Sequence, residues 1–129
     1  MKIFILSLFG LIFINSAALA DPRCPSDDYS QDWCAATINE KEKNTADKEL
    51  NRIYKKFIKQ LPERALPSWI SAQRAWVEFF QRHCSAASTI ILGSPSNQTA
   101  ELNSCLKDKI IQRTTELKSY CQMDDCNDF

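Results

Sequence analysis

Apolar residues recur along this chain at intervals of three and four, in three separate blocks. Leu50, Ile53, Tyr54, Phe57 and Leu61 share one helical face, as a period near 3.6 requires. Trp69, Gln73, Trp76, Phe80 and His83 form a second stripe, with Ile70, Val77 and Cys84 beside it. Leu102, Leu106, Ile110, Arg113, Leu117 and Tyr120 form a third. The spacing predicts helices over about 29–61, 67–87 and 96–120. Asp27 and Asp28 are placed to cap the first, and Ser94, Ser96 and Asn97 compete to cap the third, since a short side-chain oxygen can accept a free backbone N–H there. Pro62 ends the first helix, and Pro67 suits the first turn of the second, where a missing N–H costs nothing. Gly93 and Pro95 mark the segment 88–97 as the main loop. With two tryptophans and two phenylalanines, the second helix is expected to form the centre of the core. Extending the first stripe backward gives Asn51, Asp47, Asn44 and Glu40, so the upstream half of that face is expected to be polar.

The opening of the chain follows a different rule. Lys2 precedes an almost wholly apolar run, Ile3 to Ile14, and Ala18-Leu19-Ala20 supplies small residues at the positions a signal peptidase reads. Residues 1–20 are read as a cleaved signal peptide, too short in its apolar run for a comfortable membrane span. The approach to Cys24 lacks the pattern of a lipoprotein signal. Cleavage after Ala20 leaves 109 of the 129 residues, 21–129, as one domain, enough for a single core. Glycine is limited to Gly10 and Gly93, too few for the turns of a β-sandwich. The expectation is an all-α fold: a small disulfide-bonded bundle of three main helices.

All six cysteines lie beyond the signal, as suits an oxidising compartment. Cys84 at the end of the second helix and Cys105 early in the third are placed to bridge across the loop. Cys24 with Cys34, and Cys121 with Cys126, are the simple local pairs, although six cysteines allow fifteen pairings and a swap joining the two ends stays open.

The chain is formally neutral, so nothing global points to nucleic acid or a membrane surface. Residues 41–64 are locally basic, while Asp27, Asp28 and Asp32 near the start and Asp124, Asp125 and Asp128 at the finish make the ends acidic. His83 is the sole histidine; no nucleophile elbow accompanies it, and a zinc ligand set is missing. The aspartate-rich tail lacks the glycine and terminal glutamate of a calcium loop. No catalytic residue, metal or cofactor is expected. Asn97-Gln98-Thr99 fits a glycosylation acceptor, a match common by chance. Arg113 and Asp47 each interrupt a stripe, and a buried charge needs a partner. Pairing them, with Asn51 and Arg74 completing a structural network, satisfies both.

The blocks Trp33-Cys34-Ala35, Ala46-Asp47-Lys48-Glu49-Leu50-Asn51-Arg52-Ile53-Tyr54, Ala72-Gln73-Arg74-Ala75-Trp76, Gly93-Ser94 and Cys105-Leu106, with Cys84 and 113–117, resemble the N-terminal domain of the LprI-like lysozyme-inhibitor family. They run in order across nearly the whole mature chain. Phe80-Gln81 stand where the family usually has Arg-Asp, and Ile110 where it has Thr. Cys121 and Cys126 look like an addition to the family's set, which supports their pairing with each other. The resemblance implies small exported bacterial proteins with helical folds.

It also implies a non-enzymatic periplasmic or secreted protein that blocks lysozyme or another wall hydrolase by protein contact. The alternative is an immunity or envelope-stress protein binding a different periplasmic effector. A monomer is expected, with no membrane contact after signal cleavage. In an up-down-up bundle the start of the first helix and the loop between the other two lie at one end. The expected target-binding surface therefore combines Asp27, Asp28 and Asp32 with the loop around Gly93 and Ser94.

Overall fold

The structure, a computed structural model, describes residues 22–24, 26 and 28–121. Three α-helices make up most of it: α1 (Asp28–Gln60), α2 (Leu66–Ser88) and α3 (Pro95–Tyr120). Their ends fall where the chain is punctuated. Pro62 stands between α1 and a short 3₁₀ turn, Glu63–Ala65, that leads into α2. Pro67 occupies the first turn of α2 and Pro95 opens α3. Among the three candidates for the α3 cap, Ser94 holds it: its Oγ accepts the backbone N–H of Asn97 at 3.1 Å. Residues 1–21 and 122–129, and with them the expected signal peptide, Asp124, Asp125, Cys126 and Asp128, lie outside the described residues, as does Asp27; so does the side chain of Asp28.

The helices run up, down and up. Asp32 meets Ser94, Asn39 meets Ala100, Glu42 meets Lys107 and Glu49 meets Lys118, so α1 and α3 are parallel along a long shared seam. Cys84 meets Cys105 and Gln73 meets Arg113, so α2 lies antiparallel on another stripe of α3. Helices α1 and α2 touch near the far end, where the Phe57 and Trp69 rings pack edge-on with centroids 4.7 Å apart.

The apolar core occupies the half of the bundle away from the α2–α3 loop. Leu50, Ile53 and Phe57 of α1, Phe80 of α2, and Ile110 and Leu117 of α3 are buried there, with Tyr54, Trp69, Trp76, Val77 and Leu106 partly buried around them. Its centre is thus the α1–α3 seam, where Ile53 and Leu117 are fully enclosed, and not α2 as the aromatic content suggests. Of the α2 stripe, Phe80 is buried, Trp69, Gln73 and Trp76 are half-buried, and His83 is exposed, as is the neighbouring Phe79; the inward line passes from Phe80 to Cys84.

Toward the loop, the seam turns polar, but not through the residues expected. Glu40, Asn44, Asp47 and Asn51 all face solvent. The inward line of α1 runs instead through Ala46, Glu42, Asn39, Ala35 and Asp32, one or two positions earlier than the expected Asp47, Asn44 and Glu40. A single residue corresponds to about 100° of rotation on a helix, which is enough to turn an inner face outward.

Two disulfides hold this less apolar half. Cys24–Cys34 straps the N-terminal segment to α1, and Cys84–Cys105 joins the top of α2 to α3. Cys121 is also disulfide-bonded; its expected partner lies outside the described residues. Closing a loop of 21 residues restricts the unfolded chain by about 3 kcal/mol in the chain-entropy account. The core carries the larger share of stability, so Leu117→Ala should cost about 2–5 kcal/mol of unfolding free energy in urea titration. Leu92→Ala, in the same substitution class but on an exposed loop residue, should stay within about 0.5 kcal/mol of the parent.

Candidate functional site

The end of the bundle formed by the start of α1, the α2–α3 loop and the start of α3 is built with several independent ties. After Ser88 the chain continues in tight turns, with the N–H groups of Thr89, Ile90 and Ile91 donating to the carbonyls of Ala86, Ala87 and Ser88. Gly93 then takes φ of +145°. That backbone conformation is one glycine adopts readily, and a β-carbon there would also lie 2.8 Å from Asn97 Nδ2, so the amide would have to move aside. Ser94 caps α3 and at the same time donates from Oγ to Asp32 Oδ2 at 2.5 Å. Gln98 Nε2 donates to the Ile91 carbonyl at 3.4 Å.

Asp32, Gly93 and Ser94, three of the residues expected at a target surface, are therefore brought together. Asp32 is partly buried, and its carboxylate fastens the loop to α1. A hydroxyl that accepts from the helix N-terminus and donates to a carboxylate links loop, cap and neighbouring helix in one chain of hydrogen bonds. Asp27 and the Asp28 side chain, the other members of that expected surface, lie outside the described residues.

Below the loop, the α1–α3 seam carries a ladder of charges. Glu42 accepts from Arg23 at 2.7 Å and from Lys107 at 3.0 Å. These two hydrogen bonds hold its carboxyl below the ordinary carboxylate range, against a smaller opposing effect of burial. Glu49 accepts two hydrogen bonds from Arg52, at 2.7 and 2.9 Å, and lies 3.0 Å from Lys118. The Arg52 hydrogen bond is the largest cause of its lowered pKa, about 2. Asn39 donates to the Ala100 carbonyl at 3.0 Å. An open groove of about 820 Å³ follows this seam, with Ile38, Ala46 and Ile111 on its apolar side and Arg23, Glu42 and Lys107 on its charged side.

The network expected around Asp47 and Arg113 is arranged differently. Arg113 is buried, as its place in the stripe requires. Its Nε donates to Gln73 Oε1 at 3.0 Å, a terminal nitrogen donates to Glu116 at 2.7 Å, and the guanidinium lies 5.6 Å from the centre of the Trp76 ring. Asp47 is not among its partners: it faces solvent and accepts from Asn51 at 3.2 Å on its own helix. Arg74 is exposed and takes no part. The rotation of α1 described above moves Asp47 off the seam, and α2 supplies a neutral amide in the place expected for its carboxylate.

Residues not singled out in the sequence also matter here. Glu42, Glu49 and Lys107 sit in ordinary charged runs, with nothing in sequence to separate them from solvated neighbours. Their signal is the alternative α1 face that contains Asp32, Asn39, Glu42 and Ala46. His83 lies on the outer side of α2, its ring 5.7 Å from that of Phe79. Among the described residues there is no group of three His, Cys, Asp or Glu that could hold a metal ion, and no helix long and apolar enough to cross a membrane.

The family described as lysozyme inhibitor LprI matches residues 26–117. That span holds α1 from its start, α2, the loop and α3 as far as Leu117. The chain belongs to the LprI lysozyme-inhibitor family. No curated protein and no solved structure matches it. Within this LprI-family chain, the matched residues include the Cys84–Cys105 bridge, the Ser94 cap and the Arg113 site, all of which are framework.

Two measurements check the electrostatics. Arg113→Ala should lower the unfolding free energy by about 1.5–3 kcal/mol, the range for charged hydrogen bonds. Asp47→Asn should leave it within about 0.5 kcal/mol. Glu49 has a folded pKa below its ordinary value of 4.5, so its contribution is full above that pH and is lost as pH falls toward about 2. Glu49→Gln should flatten the fall in denaturation midpoint over this acidic window. More than a third of the side chain is exposed, so the flattening should shrink with added salt.

Proposed function

We propose that this chain is an exported, non-enzymatic protein that binds a cell-wall hydrolase of the lysozyme type and blocks it by protein contact. The observation that carries the reading is the family match over residues 26–117. The cysteine usage and the signal-like first 20 residues support it, because a wall hydrolase is met outside the cytoplasm. The architecture suits such a role. An inhibitor of this kind needs no reacting group, but it must present a surface that does not have to be ordered on binding. Ordering a loop costs roughly 0.5–1.5 kcal/mol for each immobilised flexible side chain, and a loop already fixed by a disulfide, a cap and a cross-helix hydrogen bond avoids much of that cost.

The mature protein, beginning at Asp21, should slow the clearing of a bacterial wall suspension by a c-type lysozyme in a saturable, dose-dependent way. It should form a complex visible by size-exclusion chromatography. N-terminal sequencing of the exported protein should start at Asp21. Unchanged clearing rates across c-type, g-type and bacterial muramidases would refute the inhibitor reading, and recovery with residues 1–20 intact would refute the export.

A further inference from the structure

The α2–α3 loop and the helix ends that flank it are uncharged from Ser85 to Ala100, and the loop carries large apolar side chains on its outside. Leu92 is 93 % exposed and Ile90 77 % exposed. Trp33 on the first turns of α1 is 65 % exposed. It shares a shallow groove of about 290 Å³ with Ala36 and Glu40 of its own helix and with Pro95, Ser96 and Thr99 of α3. Apolar residues of this size gathered at one end of a small protein mark an interaction surface. Tryptophan is among the residue types that dominate binding energy.

We propose that this end of the bundle is the surface that docks the target, with Leu92 and Ile90 entering a concave cleft and Trp33 packing beside it. The proposal rests on the inhibitor reading and names the face that performs it. Rigidity is the first argument. The Cys84–Cys105 bridge, Gly93, the Ser94–Asp32 hydrogen bond and the Gln98–Ile91 contact hold the loop in place before any partner arrives. These ties fix the backbone while leaving the Leu92 and Ile90 side chains outside, where they contribute nothing to the core.

Charge identifies the occupant. Among the described side chains, residues 30–40 hold Asp32 and Glu40 and residues 83–106 hold Glu101, with no Lys or Arg in either segment; Arg23, ahead of them, is tied to Glu42. Topology places both segments at the loop end. The remaining helical segments, 41–82 and 107–121, hold fourteen Lys and Arg against seven acidic residues. The described helices are thus polarised along the bundle axis, with Glu40 and Glu101 flanking an uncharged apolar tip. Such an end attracts a cationic protein and speeds its approach. A second copy of this chain would bring like charges together at the same surface, so self-association is the poorer fit.

Binding to egg-white lysozyme, a cationic probe, measured by surface plasmon resonance, tests the surface. The Ile90→Ser/Leu92→Ser variant should raise Kd by about 30-fold or more, mostly through faster dissociation, and Trp33→Ala by about 10-fold. Glu40→Gln/Glu101→Gln should slow association severalfold at low salt and little at high salt. Lys55→Gln/Lys59→Gln, at the other end, should change neither rate constant by more than about twofold. All these side chains are exposed or half-exposed, and an unchanged thermal midpoint shows that the variants remain folded. If the wild-type protein binds and the Ile90/Leu92 variant holds lysozyme as tightly, the surface is wrong while the inhibitor reading stands. If the wild-type protein does not bind, a cationic c-type lysozyme is not the occupant and the proposal is overturned, while the inhibitor reading is decided separately by the clearing assay across the three hydrolase types. If it forms a dimer that the Ile90/Leu92 variant dissolves, the occupant is a second copy and the proposal is overturned.

Discussion

Helix α3 serves two partners on two different stripes, and the arrangement of the molecule follows from that division. One stripe, through Ile110 and Leu117, closes the core with Leu50, Ile53 and Phe57 of α1. The other receives α2 through the Cys84–Cys105 bridge and the Gln73–Arg113 hydrogen bond. Because α1 and α3 are parallel, the start of α1 and the start of α3 must lie side by side. The loop that connects α2 to α3 is then delivered to that same end. A parallel pair of neighbouring helices needs a long return path, and α2 is that path.

The two halves of the α1–α3 seam are held by different physics. Away from the loop, burial of aromatic and aliphatic side chains dominates. Near the loop, small residues and polar contacts take over: Asn39 to the Ala100 carbonyl, Glu42 between Arg23 and Lys107, and Asp32 on Ser94. Contacts of this kind contribute little each when solvent reaches them. The Cys24–Cys34 and Cys84–Cys105 bridges lie at this end, where burial contributes least. Together with the hydrogen bonds they produce a surface that is fixed without being apolar inside. That leaves its exterior free to carry apolar side chains that the fold does not need.

Much of this is legible in the sequence, for reasons that differ from place to place. The helix boundaries can be read because Pro62, Pro67, Gly93 and Pro95 act on the backbone directly, and Ser94 has the side chain a cap requires. Arg113 can be read as buried because it interrupts an otherwise apolar stripe. Its partners cannot, since periodicity gives a face but not the element packed against it. The upstream half of α1 is misread from periodicity because two adjacent lines, through Asp47 and through Ala46, are both largely polar there, so hydrophobicity no longer chooses between them. Exposure of Leu92 and Ile90 is also hidden: whether an apolar loop residue folds back or points outward depends on the tertiary ties at its base.

A bound surface leaves its mark on backbone amides whatever the affinity of individual side chains. Hydrogen–deuterium exchange of residues 21–129, alone and with saturating lysozyme, reads out the docking face directly. Slowed exchange is expected in the loop and its flanks, 89–100, and in the first turns of α1 around 33–40, with the Lys-rich segment 48–59 unchanged. Protection centred on the outer face of α2 or on 48–59, with the loop unaltered, would contradict docking at the loop end.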